Sequence, residues 1–415
     1  MTTTPTIIRN VAVFDGVHLQ QRADVLIDGP TIAAVGPDLA VPAGATVIDG
    51  LGYTLLPGLI DAHTHTMSTA QLHQALVFGV TTELDMGGVP EHSRALRAAA
   101  QARSDLADFR IATTGATAPG GHPSQLVELG FMPPFPTVAG PEDAERFVAD
   151  RIADGADHLK IFIEDGTAAG HPMPLLAPET IKALVAAAHD RGLKAIAHTM
   201  TRSATWTAVN AGVDGLAHAP ADGPSDQALI DAVADAGLFV VPTLATLAGM
   251  SEHPVEFRLA ADPRLRPYAD PQWLEDLKNL PADPAQRMGP MAMDVRNAAD
   301  FAIRVFRAGV PLVAGTDGTG GAGHPTTHGI SLHGELTLMV EAGLSPAEAL
   351  ITATSAAADA FGLADRGRIA PGLRADLLLA TGAPNSEITS LYGITKIWKQ
   401  GVLVDRTATF SDSED

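Results

Sequence analysis

The chain opens with short apolar runs separated by turn dipeptides. Ile7, Ile8, Val11 and Val13 are followed by Val25-Leu26-Ile27, then Ile32-Ala33-Ala34-Val35, then Val47-Ile48. Asp28-Gly29 and Asp49-Gly50 lie between them, so the pattern predicts strands joined by tight turns. The same texture returns at the other end, where Ala375-Asp376-Leu377-Leu378-Leu379 and Ile394-Thr395-Lys396-Ile397-Trp398 read as strands. Gln400-Gly401 then turns into Val402-Leu403-Val404. Two β-rich ends around a different middle predict one small β-sandwich, built from segments 1–56 and 366–415.

Between them, apolar strand candidates alternate with amphipathic helices. The candidates fall at 55–62, 80–85, 109–114, 158–163, 194–198, 215–218, 238–243 and 311–316. Ile181, Leu184, Val185 and Ala188 make one helical stripe, with Pro178-Glu179 at its start and Gly192 after its end. Eight β/α units over segment 57–365 predict an α/β fold, a (β/α)8 barrel rather than an open doubly wound sheet. Two stretches break the rhythm: 115–140, rich in Gly and Pro, and 244–296, long for a βα connection. Long loops at the C-terminal face of a barrel are expected to serve as functional lids.

At 415 residues the chain can bury a large core. Acidic side chains outnumber basic ones by 48 to 27, a formal net charge of −21. That balance argues against nucleic acid or an anionic membrane as a partner, since both need a basic face. The absence of cysteine excludes a disulfide framework, a thiol nucleophile, an iron–sulfur cluster and Cys-ligated zinc. Any metal must therefore be held by His, Asp, Glu or a modified side chain. With 18% charged residues and a mean hydropathy of +0.13, the chain is not mostly disordered. The opening MTTTPTIIRNVAVFDG does not read as a signal peptide, and no run of about 18 apolar residues occurs. The expectation is a cytoplasmic homo-oligomer whose partner is a small-molecule substrate.

Candidate chemistry sits at the strand ends. His63 and His65, in Pro57-Gly58-Leu59-Ile60-Asp61-Ala62-His63-Thr64-His65, are two apart, which on a strand puts both imidazoles on one side. At a barrel's C-terminal face such a pair can chelate a cation. Lys160 lies in an apolar run headed into the core, where an unpaired ammonium is costly. It either pairs with an acid such as Asp165, snorkels, or is carbamylated by CO2 into a carboxylate that can bridge two metals. His198 and His218 each end an apolar strand. Asp317 ends the eighth and reads as a helix N-cap or as a ligand and base. His122, His324, His328, Arg202 and Tyr268 are candidate substrate contacts in the loops beyond, alongside plain structural roles.

The ordered set resembles the amidohydrolase superfamily, in the branch of imidazolonepropionase-like and Xaa-Pro dipeptidase-like enzymes with a carboxylated lysine. The resemblance covers nearly the whole chain. Besides the residues above it includes Gly79-Val80-Thr81-Thr82, Gly315-Thr316-Asp317, Leu332-His333-Gly334-Glu335-Leu336 and the stretch from Gly367-Arg368 to Asp376-Leu377. One departure is that Leu84 stands where many relatives carry Arg. The resemblance implies His63, His65 and Asp317 on one divalent ion, His198 and His218 on a second, and a CO2-derived carbamate on Lys160 between them. Zinc is the first expectation for the ions, with manganese or cobalt as alternatives. Asp317 would shuttle the proton and, with Lys160, carry the catalytic roles. The implied reaction is hydrolysis of an amide C–N bond in an N-acyl amino acid, an Xaa-Pro-type dipeptide or a cyclic amide. A lactone, ester or organophosphate hydrolase is the alternative on the same site; a deaminase or a non-catalytic barrel relative ranks lower.

Overall fold

The computed structural model describes residues 4–130, 132–167, 170–250, 255–281, 293–320 and 325–407. Five strands come first: β1 (Thr6–Phe14), β2 (Leu19–Asp28), β3 (Thr31–Gly36), β4 (Thr46–Asp49) and β5 (Tyr53–Pro57). Then follow β6 (Leu59–Thr64), β7 (Val80–Asp85), β8 (Asp108–Ile111), β9 (Leu159–Phe162), β10 (Ala195–His198), β11 (Gly215–Ala217) and β12 (Phe239–Val241). The chain closes with β13 (Leu377–Thr381), β14 (Ile394–Lys399) and β15 (Val402–Leu403).

The two ends of the chain share one sheet of order β15-β14-β13-β5-β1-β2-β3, with β4 also paired to β1. The link between the ends is β5 against β13, antiparallel with Leu55 opposite Leu379. Ile8, Val11, Val25, Ile32, Leu377 and Trp398 bury the apolar face of this sheet.

The middle strands are parallel, as βα alternation requires. β6-β7-β8 form one ladder and β9-β10-β11-β12 another. Isolated parallel bridges join them: Ala116 to Ile161 between the third and fourth positions, and Val240 to Leu312 and Thr64 to Gly318 on either side of the eighth. Backbone bonds from Val313 N–H to Val240 O (2.9 Å) and from Ala62 N–H to Ala314 O (3.0 Å) bind the eighth segment to both neighbours. The eight positions thus form the ring of a (β/α)8 barrel. Its interior holds Ile60, Leu84, Ile196, Ala217, Val241 and Val313. The helix Pro178–His189 buries Ile181, Leu184, Val185 and Ala188, the stripe expected from spacing.

Two strand expectations change. The apolar run 55–62 is divided: Tyr53–Pro57 belongs to the terminal sheet and Leu59–Thr64 to the ring. Gly58 sits at the division, where a Cβ would collide with Thr81. The segment 311–316 forms bridges and single bonds rather than a regular ladder. Among the described residues no helix is long and apolar enough to cross a membrane.

Candidate metal centre

Four of the ring's strand ends carry non-glycine residues in the left-handed region: Thr113 (φ 60°), His218 (φ 75°), Thr243 (φ 51°) and Asp317 (φ 57°). Such backbone is costly, above all for β-branched threonine, and it collects at functional sites. It turns the side chains of His218 and Asp317 toward the ring axis instead of letting the strand run on.

The six residues expected to act together meet there. Asp317 Oδ1 lies 3.3 Å from His63 Nε2 and 3.1 Å from His65 Nε2. Lys160 Nζ is 3.4 Å from His63 Nε2. The His63 and His218 ring centroids are 4.7 Å apart, and His218 Nε2 sits 3.0 Å from His198 Nδ1. One ligand atom from each of His63, His218 and Asp317 falls within a common 4.8 Å. His63, Lys160 and His218 are buried, while His65 and Asp317 keep partial access to solvent.

Burial sets the protonation of this cluster. It pushes the His63 and His218 imidazoles well below their ordinary range, helped for His63 by the Lys160 charge and for His218 by His198. It also brings the Lys160 ammonium down to about 7, against the opposing pull of Asp317 and Asp85. Burial would raise Asp317, but His63, His65 and His218 override it and hold the carboxyl well below the usual range. Burial lowers His65 as well, yet the hydrogen bond and charge of Asp317 win and raise it.

The donor set fits a divalent cation. His65 Nδ1 faces the Gly87 carbonyl at 3.2 Å, so that nitrogen donates and Nε2 is the one that faces the Asp317 carboxylate. A lone pair facing an anion is repulsive until a cation or a proton sits between them. Among the described residues, His63 Nδ1 and His198 Nε2 are buried polar atoms without hydrogen-bond partners. Imidazole nitrogens and carboxylate oxygens suit zinc, manganese or cobalt.

The alternative readings of Lys160 and Asp317 find no support among the described residues. Asp165 binds Thr167 and leaves Lys160 alone, and no ion pair involves Lys160. No helix starts directly after Asp317; the next begins at Ile330 with Gly329 as its cap.

The outer candidates separate. His122 reaches the centre, its ring 5.1 Å from that of His198, and burial lowers its pKa to about 3. Arg202 is committed to Asp222 at 3.3 Å and to the Pro224 carbonyl. Tyr268 packs under the Arg406 guanidinium, 3.8 Å from its ring centroid. His328 is fully buried with Nδ1 2.9 Å from Glu83 Oε1, and makes no contact with the cluster among the described residues. His324 lies outside the described residues. Reading from sequence missed Glu164, whose Oε2 is 3.7 Å from His198 Nε2, and Thr243, whose Oγ1 is 2.8 Å from His218 Nδ1. Glu164 directly follows the apolar run of the fourth strand, which was the available signal.

The imidazolonepropionase of Anaeromyxobacter sp. (strain K) is 26% identical over 87% of this chain and 85% of that protein. A shorter match to the dihydroorotase of Mycobacterium tuberculosis is 32% identical over 154 residues; it spans 37% of this chain and only 34% of that protein. A solved Xaa-Pro dipeptidase with methionine bound in its active site superposes with a TM-score of 0.74 and 25% identity, covering 97% of this chain and 100% of the other. The sequence model of the amidohydrolase family matches residues 54–404, from β5 through β15, and the chain belongs to that family.

Proposed function

We propose that the protein is a metal-dependent hydrolase that cleaves an amide C–N bond of a small molecule: an N-acyl amino acid, an Xaa-Pro-type dipeptide or a cyclic amide. The observation that carries this reading is the approach of two imidazole nitrogens to one Asp317 oxygen at 3.1 and 3.3 Å, beside a buried lysine without an acid partner. The names of the relatives (imidazolonepropionase, dihydroorotase and Xaa-Pro dipeptidase) favour the same bond class.

In this reading His63, His65 and Asp317 would hold one divalent ion and His198 and His218 a second, and Lys160, carboxylated by CO2, would supply a further carboxylate ligand. Zinc is the first choice and manganese or cobalt the alternatives. Such ions would supply Lewis-acid polarisation of the scissile carbonyl and lower the pKa of a bound water. The chain's own residues do the rest. Burial keeps His63 and His218 unprotonated, so their lone pairs stay available. The Asp317 carboxylate, anionic at neutral pH, takes a proton from the attacking water and delivers it to the leaving nitrogen. His122, stacked beside His198, is the residue best placed to touch the substrate.

Elemental analysis of purified protein, with turnover measured on N-acyl amino acids, Xaa-Pro dipeptides, cyclic amides and lactones, tests the proposal. Close to two divalent ions per chain, chelator-sensitive turnover and a C–N substrate are expected. Active protein with only trace metal overturns it. Turnover confined to lactones or organophosphates moves the assignment to the ester-type reading.

A further inference from the structure

The motif Leu332-His333-Gly334-Glu335-Leu336 has no part in the chemistry above, yet it carries a fully buried carboxyl group, pushed up by burial to about 8. A carboxylate without water is expensive unless its oxygens are used. Glu335 Oε2 accepts the Ala245 N–H at 2.7 Å. Ala245 lies in the first turn of the short helix Leu244–Gly249, where N–H groups have no partner inside the helix.

The residue in the capping position of that helix is Thr243, a type that ordinarily caps with its own hydroxyl. Here it makes no side-chain cap. Its backbone is left-handed (φ 51°, ψ 47°), and its Oγ1 points instead at His218 Nδ1, 2.8 Å away. The opposite ring nitrogen, Nε2, is the one that faces His198 and the centre. The same short helix reaches the eighth segment, where the Thr246 hydroxyl donates to the Thr316 carbonyl at 2.7 Å, one residue before Asp317.

We propose that Glu335 is a positioning residue for the metal centre. It supplies the cap that Thr243 gives up, and so frees the Thr243 hydroxyl to hold the His218 ring with Nε2 turned inward. Glu335 touches neither substrate nor ligand; it acts through the helix Leu244–Gly249 and Thr243. This inference rests on the metal-dependent reading only for its consequence, metal affinity. The ring orientation it explains stands without an ion.

Two readouts test it. The first is metal binding by chelator-treated protein, titrated with zinc or cobalt. Thr243→Val keeps the side-chain shape and removes the hydroxyl; it should weaken binding about 10–100-fold, the usual effect of losing a partner behind a metal-bound histidine. Thr243→Ser should bind like wild type. Glu335→Met should weaken binding through the same route, and Glu335→Gln, which keeps a carbonyl acceptor, should recover most of it. Because both residues act on one ring, the double variant Thr243→Val/Glu335→Met should bind no worse than the weaker single one. Losses that multiply, or a folded Glu335→Met with wild-type affinity, overturn the proposal. If Glu335→Met does not fold, the comparison of Glu335→Gln with Thr243→Val and Thr243→Ser decides.

The second readout needs no metal. In 15N-histidine-labelled apo protein, His218 should carry its proton on Nδ1 in wild type, Thr243→Ser and Glu335→Gln, and lose that preference in Thr243→Val. An unchanged His218 tautomer in Thr243→Val also overturns the proposal. Wild-type protein that binds no metal defeats the hydrolase reading instead, while the tautomer measurement still judges this one.

Discussion

Replacing Lys160 by methionine should stabilise the metal-free protein while removing its ability to fill the centre. The lysine side chain is fully buried, and among the described residues no carboxylate forms an ion pair with it. Burial lowers its ammonium from 10.5 to about 7. At about 1.4 kcal/mol per pH unit, keeping this group protonated in the fold costs up to about 5 kcal/mol. Methionine, close in length and uncharged, avoids that cost and loses about 1 kcal/mol to imperfect repacking. The net gain should be about 3 kcal/mol or more.

The sign depends on pH. A lysine whose folded pKa is lowered destabilises most below about 7, where both states hold the proton. The penalty fades as pH rises toward 10.5, where the unfolded chain loses its proton too. Urea unfolding of chelator-treated wild type and Lys160→Met should therefore give curves separated at pH 6.5 that converge by pH 10. With zinc and bicarbonate the order should reverse, because binding stabilises only the protein that can hold the ions. Equal stabilities at pH 6.5 without metal, or a gap that does not close with pH, would refute the reasoning that Lys160 is a strained, unpaired amine when no metal is bound.

Asp317→Asn should fold with a modest loss of thermal stability, yet lose about 10²–10⁴ in turnover, because the amide cannot carry the proton; near-normal turnover would place the shuttle elsewhere. Asp108→Asn should cost about 3–5 kcal/mol in urea unfolding at pH 7, because Asp108 is buried with Arg366, Arg374 at 3.3 Å and Arg110 at 3.6 Å. Burial would raise this carboxyl, but the three guanidiniums hold it down to about 2, so its contribution is present above about 4 and is lost as pH falls through 2. The gap between wild type and Asp108→Asn should shrink over that window, and a gap independent of pH would contradict the pairing. Glu256 is shifted the other way, raised by burial to about 7, so wild-type stability should fall as pH climbs from 4.5 through 7. Glu256→Gln should match wild type in stability to urea at pH 4.5 and exceed it at pH 8.5, by up to about 3 kcal/mol.

Much of the candidate site was legible because His198, His218 and Asp317 each end an apolar run, while Lys160 interrupts one. A polar residue at the point where such a run stops is at a strand end, and in a parallel barrel the strand ends share one face. That logic singled out His63, His65, Lys160, His198, His218 and Asp317 as candidates, and the resemblance to the amidohydrolase superfamily implied that they form one set. It failed at 55–62, where apolar residues continue across two sheets and only the crowding of Gly58 against Thr81 marks the division. It did not anticipate the partners of Arg202 and His328, chosen for closeness in sequence to His198 and Asp317, or of Tyr268, chosen as an aromatic in the long 244–296 stretch. Their partners Asp222, Arg406 and Glu83 come from elsewhere in the chain, and no local pattern announces them.

The residues behind the ligands were hidden for a different reason. An acidic composition invites the reading that acids sit in solvent, yet Asp61, Glu83, Asp85, Glu256 and Glu335 are all buried. Each has a structural partner. Asp61 accepts the His63 N–H and the Thr316 N–H and hydroxyl; Glu83 accepts the Thr66 hydroxyl and holds His328; Glu335 caps the helix behind His218. The signal was present in Ile60-Asp61-Ala62, Thr82-Glu83-Leu84 and Gly334-Glu335-Leu336, acids set inside runs that otherwise go to the core. An acid in such a run either breaks the element or is buried with donors ready for it, and strands and helices that remain intact leave only the second option. The candidate centre is therefore shaped by two layers of side chains. Strand ends deliver the candidate ligands, and buried acids hold the backbone and helix beside them.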